Sequence, residues 1–353
     1  MDKLTDELSE IKLTQFAGCA GCAAKIAPDF LRGIISTLDI YKDNTVLSDS
    51  KGFEDAGVVK ISDDKAIVMT TDFFPPVVDD PYFFGQIATA NALSDIYAMG
   101  AVPKAALALV GFPATKLPKE VFEQIMKGCT DKLREAKVNL VGGHSIKNPE
   151  PFFGTAVFGE CHPDDYWKNS TAKVTGDIIL TKPLGTGILN TALKMGKLNE
   201  SQIKKTYEIM ASLNEKAANI ARQFPIDAVT DVTGFGLIGH SSEVAKASNV
   251  GIKLFYDKLK FIDSFVEIFA KEGMIPGATS TNIRVYESDV LFPDGSQYKK
   301  NVLFDPQTSG GLLIFVPHEH SDELLQKLID NGMIHAVKIG QTTKEHSGKI
   351  EVL

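Results

Sequence analysis

Four aspartates stand where carboxylates could converge on one cation. Asp55 lies in "GFEDAGVV", directly before a β-branched run, and Asp72 lies near the end of "AIVMTTDFF". Asp95 follows Asn91 by one helical turn in "ANALSDIYAMG", so both can share a helix face. Asp231 stands in "AVTDVTGFGL", where an apolar stretch gives way to a Gly-rich turn. Two carboxylates at about 4 Å repel by roughly 4 kcal/mol at an intermediate dielectric. A converged set therefore calls for a divalent metal, and all-oxygen ligands favour Mg²⁺ over Zn²⁺. Taken singly, each aspartate reads as a turn or helix-cap residue.

Thiols form the second group. "FAGCAGCAAKIAP", from Phe16, holds Cys19, Cys22 and Lys25. No second C-x-x-C and no paired H-x₃₋₅-H completes a zinc site, and little βαβ context supports a thioredoxin-like pair. If "CAAK" forms a helical turn, Cys22 and Lys25 share a face, and the ammonium is expected to lower the thiol pKa. Cys22 is then a candidate nucleophile or soft-atom carrier and Lys25 a candidate phosphate contact. The competing reading is a terminal arm with bystander thiols. Gly-rich turns are expected at "VGGHS" (Val141 to Ser145), "PLGTG" (Pro183 to Gly187) and "DPQTSGGLL" (from Asp305). Such turns let backbone N–H groups approach phosphate, and plain turn chemistry explains each equally well. None is a Walker A loop. His144 and His240 adjoin such turns, His318-x-His320 opens a surface helix, and Trp167 suits domain packing.

The positioning elements alternate along the chain. Strands are expected at "AGVVKI" from Ala56, "KAIVMTT" from Lys65, "KAALALVGF" from Lys104 and "FGTAVFGE" from Phe153. Helices are expected from Phe84 to Met99 and from Pro118 to Glu135, the latter with Val121, Ile125 and Leu133 on one stripe. The polar, turn-rich segment from Cys161 to Asp177 marks a domain boundary. Beyond it come a strand and turn in "DIILTKPLGTG", a helix opening near Ile188, and a long helix from Glu200 to Gln223. Strand "GGLLIFV", a helix from His318 to Asn331 and strand "HAVKIG" close the chain. The reading is an arm with a first helix (1–48), an α+β domain (49–162) and a second α+β domain (170–353).

At 353 residues the chain exceeds a single small core, and 44% apolar with 23% charged residues is ordinary for a soluble globular protein. A net charge of −8 provides no general field for nucleic acid. The opening "MDKLTDELSE" lacks the apolar core of a signal peptide, and no apolar run is long enough to span a membrane. Four cysteines are too few for a disulfide scaffold at this length, so a cytoplasmic setting with reduced thiols is expected.

Together, "LTQFAGCAGCAAKIAP", "FEDAGVV", "TTDFFPPVVDDPYFFGQIATANALSDIYAMG", "VGGHSI", "TKPLGTG", "TDVTGFGLIGH" and "DPQTSGGLL" resemble the selenophosphate synthetase (selenide, water dikinase) family, in order from Leu13 to Leu313. Some pieces are shared with aminoimidazole ribonucleotide synthetase and thiamine monophosphate kinase; the thiol-plus-lysine loop points to the selenium enzymes. The resemblance implies two α+β domains of the aminoimidazole ribonucleotide synthetase type, with ATP at a homodimer interface and a mobile Gly-rich arm that closes over it. It implies Cys22 and Lys25 as catalytic residues and Asp55, Asp95 and Asp231 as Mg²⁺ ligands. It also implies nucleotide contacts at Lys25, Gly52, Phe53, Glu54, Asp72, Asp95, Gly143, His144 and Ser145. The implied substrates are ATP, selenide and water, with K⁺ a candidate second cation and a selenium-delivery protein a candidate partner. Some relatives carry a second cysteine where this chain has Ala24; the extra thiol here is Cys19, and the spacing to Lys25 favours Cys22. The remaining alternatives are an ATP-dependent small-molecule kinase or synthetase of the same fold, and a Cys-x-x-Cys redox or zinc protein.

Overall fold

Period-two alternation builds the first sheet in the computed structural model, which describes residues 11–18, 20–48 and 54–353. After helix α1 (Pro28–Ile35) come β1 (Gly57–Lys60), β2 (Ala66–Phe74), β3 (Val102–Phe112), β4 (Asn139–Lys147) and β5 (Phe152–Cys161). They lie in the order β1-β2-β5-β3-β4. Along β2, Ala66, Val68 and Phe74 are buried, while Met69 and Phe73 face outward and are exposed. Thr70 and Asp72 share the inward-facing set, by the same period.

Helix α2 (Pro81–Ala98) packs on that inward face, and α3 (Lys119–Glu135) packs against α2. Asp80 caps α2 by accepting the Phe83 N–H at 2.9 Å, with Pro81 at the first helical position. Nearly every residue from Phe84 to Ala98 is buried, so the helix runs through the interior and its polar residues, Asn91 and Asp95 among them, must find partners there. The crossing with α3 is set by two glycines. A Cβ on Gly85 would lie 2.0 Å from the Ile125 carbonyl oxygen, and one on Gly128 would lie 2.0 Å from that of Tyr82.

The second sheet holds β6 (Gly176–Leu180), β7 (Ala228–Asp231), β8 (Gly251–Leu254), β9 (Val290–Leu291), β10 (Leu312–Pro317), β11 (Val337–Thr343) and β12 (Ile350–Val352). Their order is β7-β10-β6-β11-β8-β12-β9. Its helices are α4 (Thr186–Lys194), α5 (Glu200–Ala211), α6 (Glu215–Ala221), α7 (Gly236–Ser248), α8 (Phe265–Lys271), α9 (Gly277–Tyr286), α10 (Gln297–Leu303) and α11 (His318–Asp330). Between the sheets, Trp167 packs over Gly100 and donates its backbone N–H to the Met99 carbonyl at 2.9 Å. Among the described residues no helix is long and apolar enough to cross a membrane.

Two expectations change. The helix expected from Glu200 to Gln223 is broken into α5 and α6, because Ser212 turns extended. Tertiary bonds hold the break: the Lys182 ammonium donates to the Ser212 carbonyl at 2.7 Å, and the buried Asn214 amide donates to Ser94 Oγ and the Gly310 carbonyl. "VGGHS" is not a turn but the middle of β4, paired in parallel with β3.

Candidate active site

Strand and helix periods bring the acidic residues into register. Thr70 and Asp72, two apart on β2, face Asp95 and Asn91, four apart on α2. Thr70 Oγ1 donates to Asp95 Oδ2 at 2.5 Å, and the Asn91 amide donates to Asp72 Oδ2. Asp231 ends β7, and the preceding Thr230 donates its hydroxyl to Asp55 Oδ1 at 2.8 Å.

The N-terminal segment plugs into this frame from the other side. Gly21 donates its N–H to the Pro75 carbonyl at 3.1 Å, and the Cys22 N–H reaches Thr308 Oγ1 at 3.3 Å. Gly21 has φ +54°, and a Cβ there would sit 2.6 Å from Thr308 Oγ1, so the turn requires glycine. Gly234 of the "TGFG" turn comes equally close, with room for no Cβ beside the Cys22 carbonyl. The result is a short 3₁₀ turn, Gly21–Ala24, that buries Cys22. The Cys22 thiol donates to Asn91 Oδ1 at 3.3 Å, and the same oxygen accepts the Ser309 N–H at 3.0 Å. The Lys25 ammonium lies 3.7 Å from Asp72 Oδ1. One side-chain amide thus joins the thiol to the carboxylates, and one lysine completes the ring.

Charge in this site follows burial. Burial pushes the Cys22 thiol up to about 12, outweighing the opposing pull of Lys25. Lys25 does pull the thiol down, in the direction its spacing leads one to expect, but desolvation is the larger effect. Lys25 is itself held charged above the usual lysine range, chiefly by Asp72. Burial, with Asp231 next in size, holds Asp55 well above the usual carboxylate range. Burial and Asp72 do the same for Asp95. Asp231 is pushed by burial to about 6, against the Ser94 hydroxyl and Lys25.

The donor chemistry fits a hard divalent cation. Asp55 Oδ2 and Asp231 Oδ2 are buried without a hydrogen-bond partner. Among the described residues no three His, Cys, Asp or Glu side chains form a group that could by itself hold a metal ion, so there is no ready-made protein cage. Mg²⁺ asks for no such cage, since it is commonly held by one or two carboxylates together with water and substrate phosphates.

Two family models match the chain, "AIR synthase related protein, N-terminal domain" over residues 53–161 and "AIR synthase related protein, C-terminal domain" over 176–353. The selenide, water dikinase of Carboxydothermus hydrogenoformans is 43% identical over 346 residues, covering 98% of this chain and 99% of its own. The chain belongs to the selenide, water dikinase family. The dikinase of Clostridium botulinum (strain Alaska E43) is also 43% identical, over 94% of this chain and 95% of its own. Hydrogenase maturation protein HypE in complex with ATP shares the fold, with a TM-score of 0.65 at 15% identity, over 99% of this chain and 90% of its own. The two-domain fold of α+β halves is that of the AIR synthase group.

Against the dikinase family's pattern, Cys22, Lys25, Asp72 and Asp95 lie together with Asn91, while Asp55 and Asp231 adjoin them through Thr230. Gly52, Phe53 and Cys19 lie outside the described residues. The Glu54 carboxylate accepts from the Asn169 N–H at 2.8 Å and Ser170 Oγ at 3.0 Å, tying it to the segment between the sheets. Gly143, His144 and Ser145 lie on the exposed edge strand β4, far from any turn. "PLGTG" does not hold an empty phosphate seat: Gly185 N–H bonds Gln307 Oε1 at 3.0 Å and Gly187 N–H bonds Asp305 Oδ2 at 3.1 Å. Gly310 and Gly311 pack against Val232 and Lys182 backbone. His240 is a buried core residue, stacked on Phe235 and bonded to Thr233 Oγ1, and burial pushes it down to about 3. Sequence reading placed Asn91 beside Asp95 but missed it as the hub, and it missed Thr308 and Ser309. Their only sequence signal was membership of the "DPQTSGG" turn.

Proposed function

We propose that this chain catalyses ATP + selenide + H₂O → selenophosphate + AMP + phosphate, with Cys22 and Lys25 on the selenium side and the aspartates on the nucleotide side. The observation that carries this reading is the Asn91 amide, which bonds the thiol on one atom and Asp72 on the other. A redox or zinc clip would have no use for that link. Asp55, Asp95 and Asp231 would hold Mg²⁺, which supplies charge neutralisation for the triphosphate.

The residues present divide the rest of the work. Lys25, fixed by Asp72, offers a permanent cation between the incoming phosphate and the thiol. Cys22 stays a neutral thiol near pH 7, so it does not repel the hydrogenselenide anion. Joining selenium to the Cys22 sulfur would need a two-electron oxidant that no substrate supplies, so the thiol orients selenide rather than binding it covalently. Burial of Gly21 and Cys22 keeps water from the first phosphoryl transfer.

A homodimer is part of the same reading. Edge strand β4 is exposed along nearly all its length, with Val141 and Ile146 bare, and Phe73 and Met69 are exposed on the outward sheet face. A second copy covering that edge would bring Gly143, His144 and Ser145 to a junction between subunits. A cytoplasmic setting suits substrates and thiols that must stay reduced.

Anaerobic incubation with ATP, Mg²⁺ and selenide, followed by nucleotide and ³¹P analysis, tests the reaction. AMP and a selenophosphate resonance are expected; ADP without stimulation by selenide would instead indicate a small-molecule kinase. Cys22→Ser should abolish selenide-dependent AMP formation while ATP still binds, and Cys19→Ser should retain most of it; the reverse outcome assigns the wrong cysteine. Asp231→Asn should weaken Mg²⁺-dependent nucleotide binding, and unchanged binding removes Asp231 from the metal set.

A further inference from the structure

Beside the Cys22 turn lies a cavity of about 520 Å³ between the N-terminal segment and helices α4 and α9. Cys22 and Lys25 border it, and none of Asp55, Asp72, Asp95 or Asp231 does. Its charged lining is one-signed: Lys25 and Lys194 are the ionised side chains on its described walls, and no carboxylate faces it. That is unexpected in a chain of net charge −8. Its outer lining includes the exposed Ile26, Lys194 and Met195, whereas Cys22 is buried, so the space leads from solvent to the thiol turn.

We propose that this cavity is the port by which the selenide anion reaches Cys22. The proposal rests on the reaction proposed above. Cations without carboxylates favour an anion over a neutral or cationic solute. The magnesium-bound nucleotide requires carboxylates, and this chamber has none. Its volume exceeds what hydrogenselenide needs, so the ion can enter with water around it. Lys194 attracts the anion at the mouth, and Lys25, already tied to Asp72, receives it at the inner end.

Lys194 is exposed, so its replacement leaves the core intact. In anaerobic AMP-formation assays at low ionic strength, Lys194→Gln should raise the KM for selenide by about two-fold and Lys194→Glu by about five-fold, both effects shrinking in high salt. The KM for ATP should not move. A second measurement needs neither substrate: the rates at which iodoacetate and iodoacetamide modify Cys22, read by peptide mass spectrometry. Lys194→Glu should slow the anionic reagent relative to the neutral one by a similar factor. An unchanged selenide KM, a shifted ATP KM, or an unchanged reagent ratio overturns the port. If wild-type protein forms no AMP with selenide, the reaction reading fails, and the reagent ratio alone still decides whether the cavity is an anion path to Cys22.

Discussion

Replacing Asn91 by aspartate changes one N–H donor into an oxygen and tests the hub directly. The new side chain keeps its shape and can still accept from the Cys22 thiol and the Ser309 N–H. It loses the amide that donates to Asp72, and two carboxyl groups then meet inside a buried helix–strand contact. Two charges about 4 Å apart cost about 4 kcal/mol at an effective dielectric near 20. Lys25, 3.7 Å from Asp72, offsets part of this, so Asn91→Asp should destabilise the metal-free protein by about 2–4 kcal/mol at pH 8. The alternative open to the protein is to keep one proton, which raises the new carboxyl by about two to three pH units in the folded state. The sign follows: a carboxyl whose folded pKa is raised lowers stability as pH climbs from its unfolded pKa, near 4, to its folded one, and the loss is constant above that. At pH 5 the deficit should therefore shrink to about 1 kcal/mol. Urea or thermal unfolding of both proteins at pH 5 and pH 8, without metal, measures this. Equal deficits at the two pH values, or no deficit at pH 8, would show that the Asn91 amide does not face Asp72.

Other perturbations probe other joints. Arg32 of α1 pairs with Glu243 of α7, whose carboxyl is pushed by burial to about 7. Arg32→Ala should cost about 1–3 kcal/mol above pH 8 and less below pH 6, where a protonated Glu243 no longer needs the cation; limited proteolysis of residues 28–36 against pH would follow it. Gly85→Ala forces a methyl against the Ile125 carbonyl of α3, so a loss of about 1–3 kcal/mol or insoluble protein is expected, and a wild-type melting temperature would contradict the helix crossing. Gly21→Ala should speed the modification of Cys22 by thiol reagents, whereas Gly18→Ala, whose Cβ would meet nothing, should leave the wild-type rate; equal rates in both would refute the seated turn.

Much of the fold was legible because periodicity reports burial. β2 alternates, the stripe on α3 recurs at helical spacing, and both lie where the pattern placed them. β4 escaped because its residues "NLVGGHSIK" are almost all exposed, so no apolar alternation marks them and paired glycines mimic a turn. The α5–α6 break escaped because it is imposed by Lys182 and by Asn214's partners, Ser94 and Gly310, all distant in sequence. Within the site, the acidic residues were legible as types at element ends. Their protonation was not, because it depends on desolvation. The Cys22–Lys25 spacing suggests an activated thiol, and spacing cannot reveal that the thiol is buried while the lysine beside it stays partly open to solvent.

That burial reshapes what the loop is for. A lysine beside a cysteine favours the thiolate, but a thiolate at Cys22 is desolvated and would face Asp72 and Asp231 as well as Lys25. A neutral thiol resting on Asn91 leaves the Lys25 charge available to whichever anion arrives. Glycine serves this arrangement through close approach as much as through motion, since Gly21 and Gly234 are the points where the turn touches its seat. The turn borders a cavity whose charged lining is cationic, and Lys25 connects that cavity to Asp72. On the proposed port, selenide reaches the Cys22–Asn91–Asp72 link from the cavity, and Lys25 is the charge that the link and the cavity share.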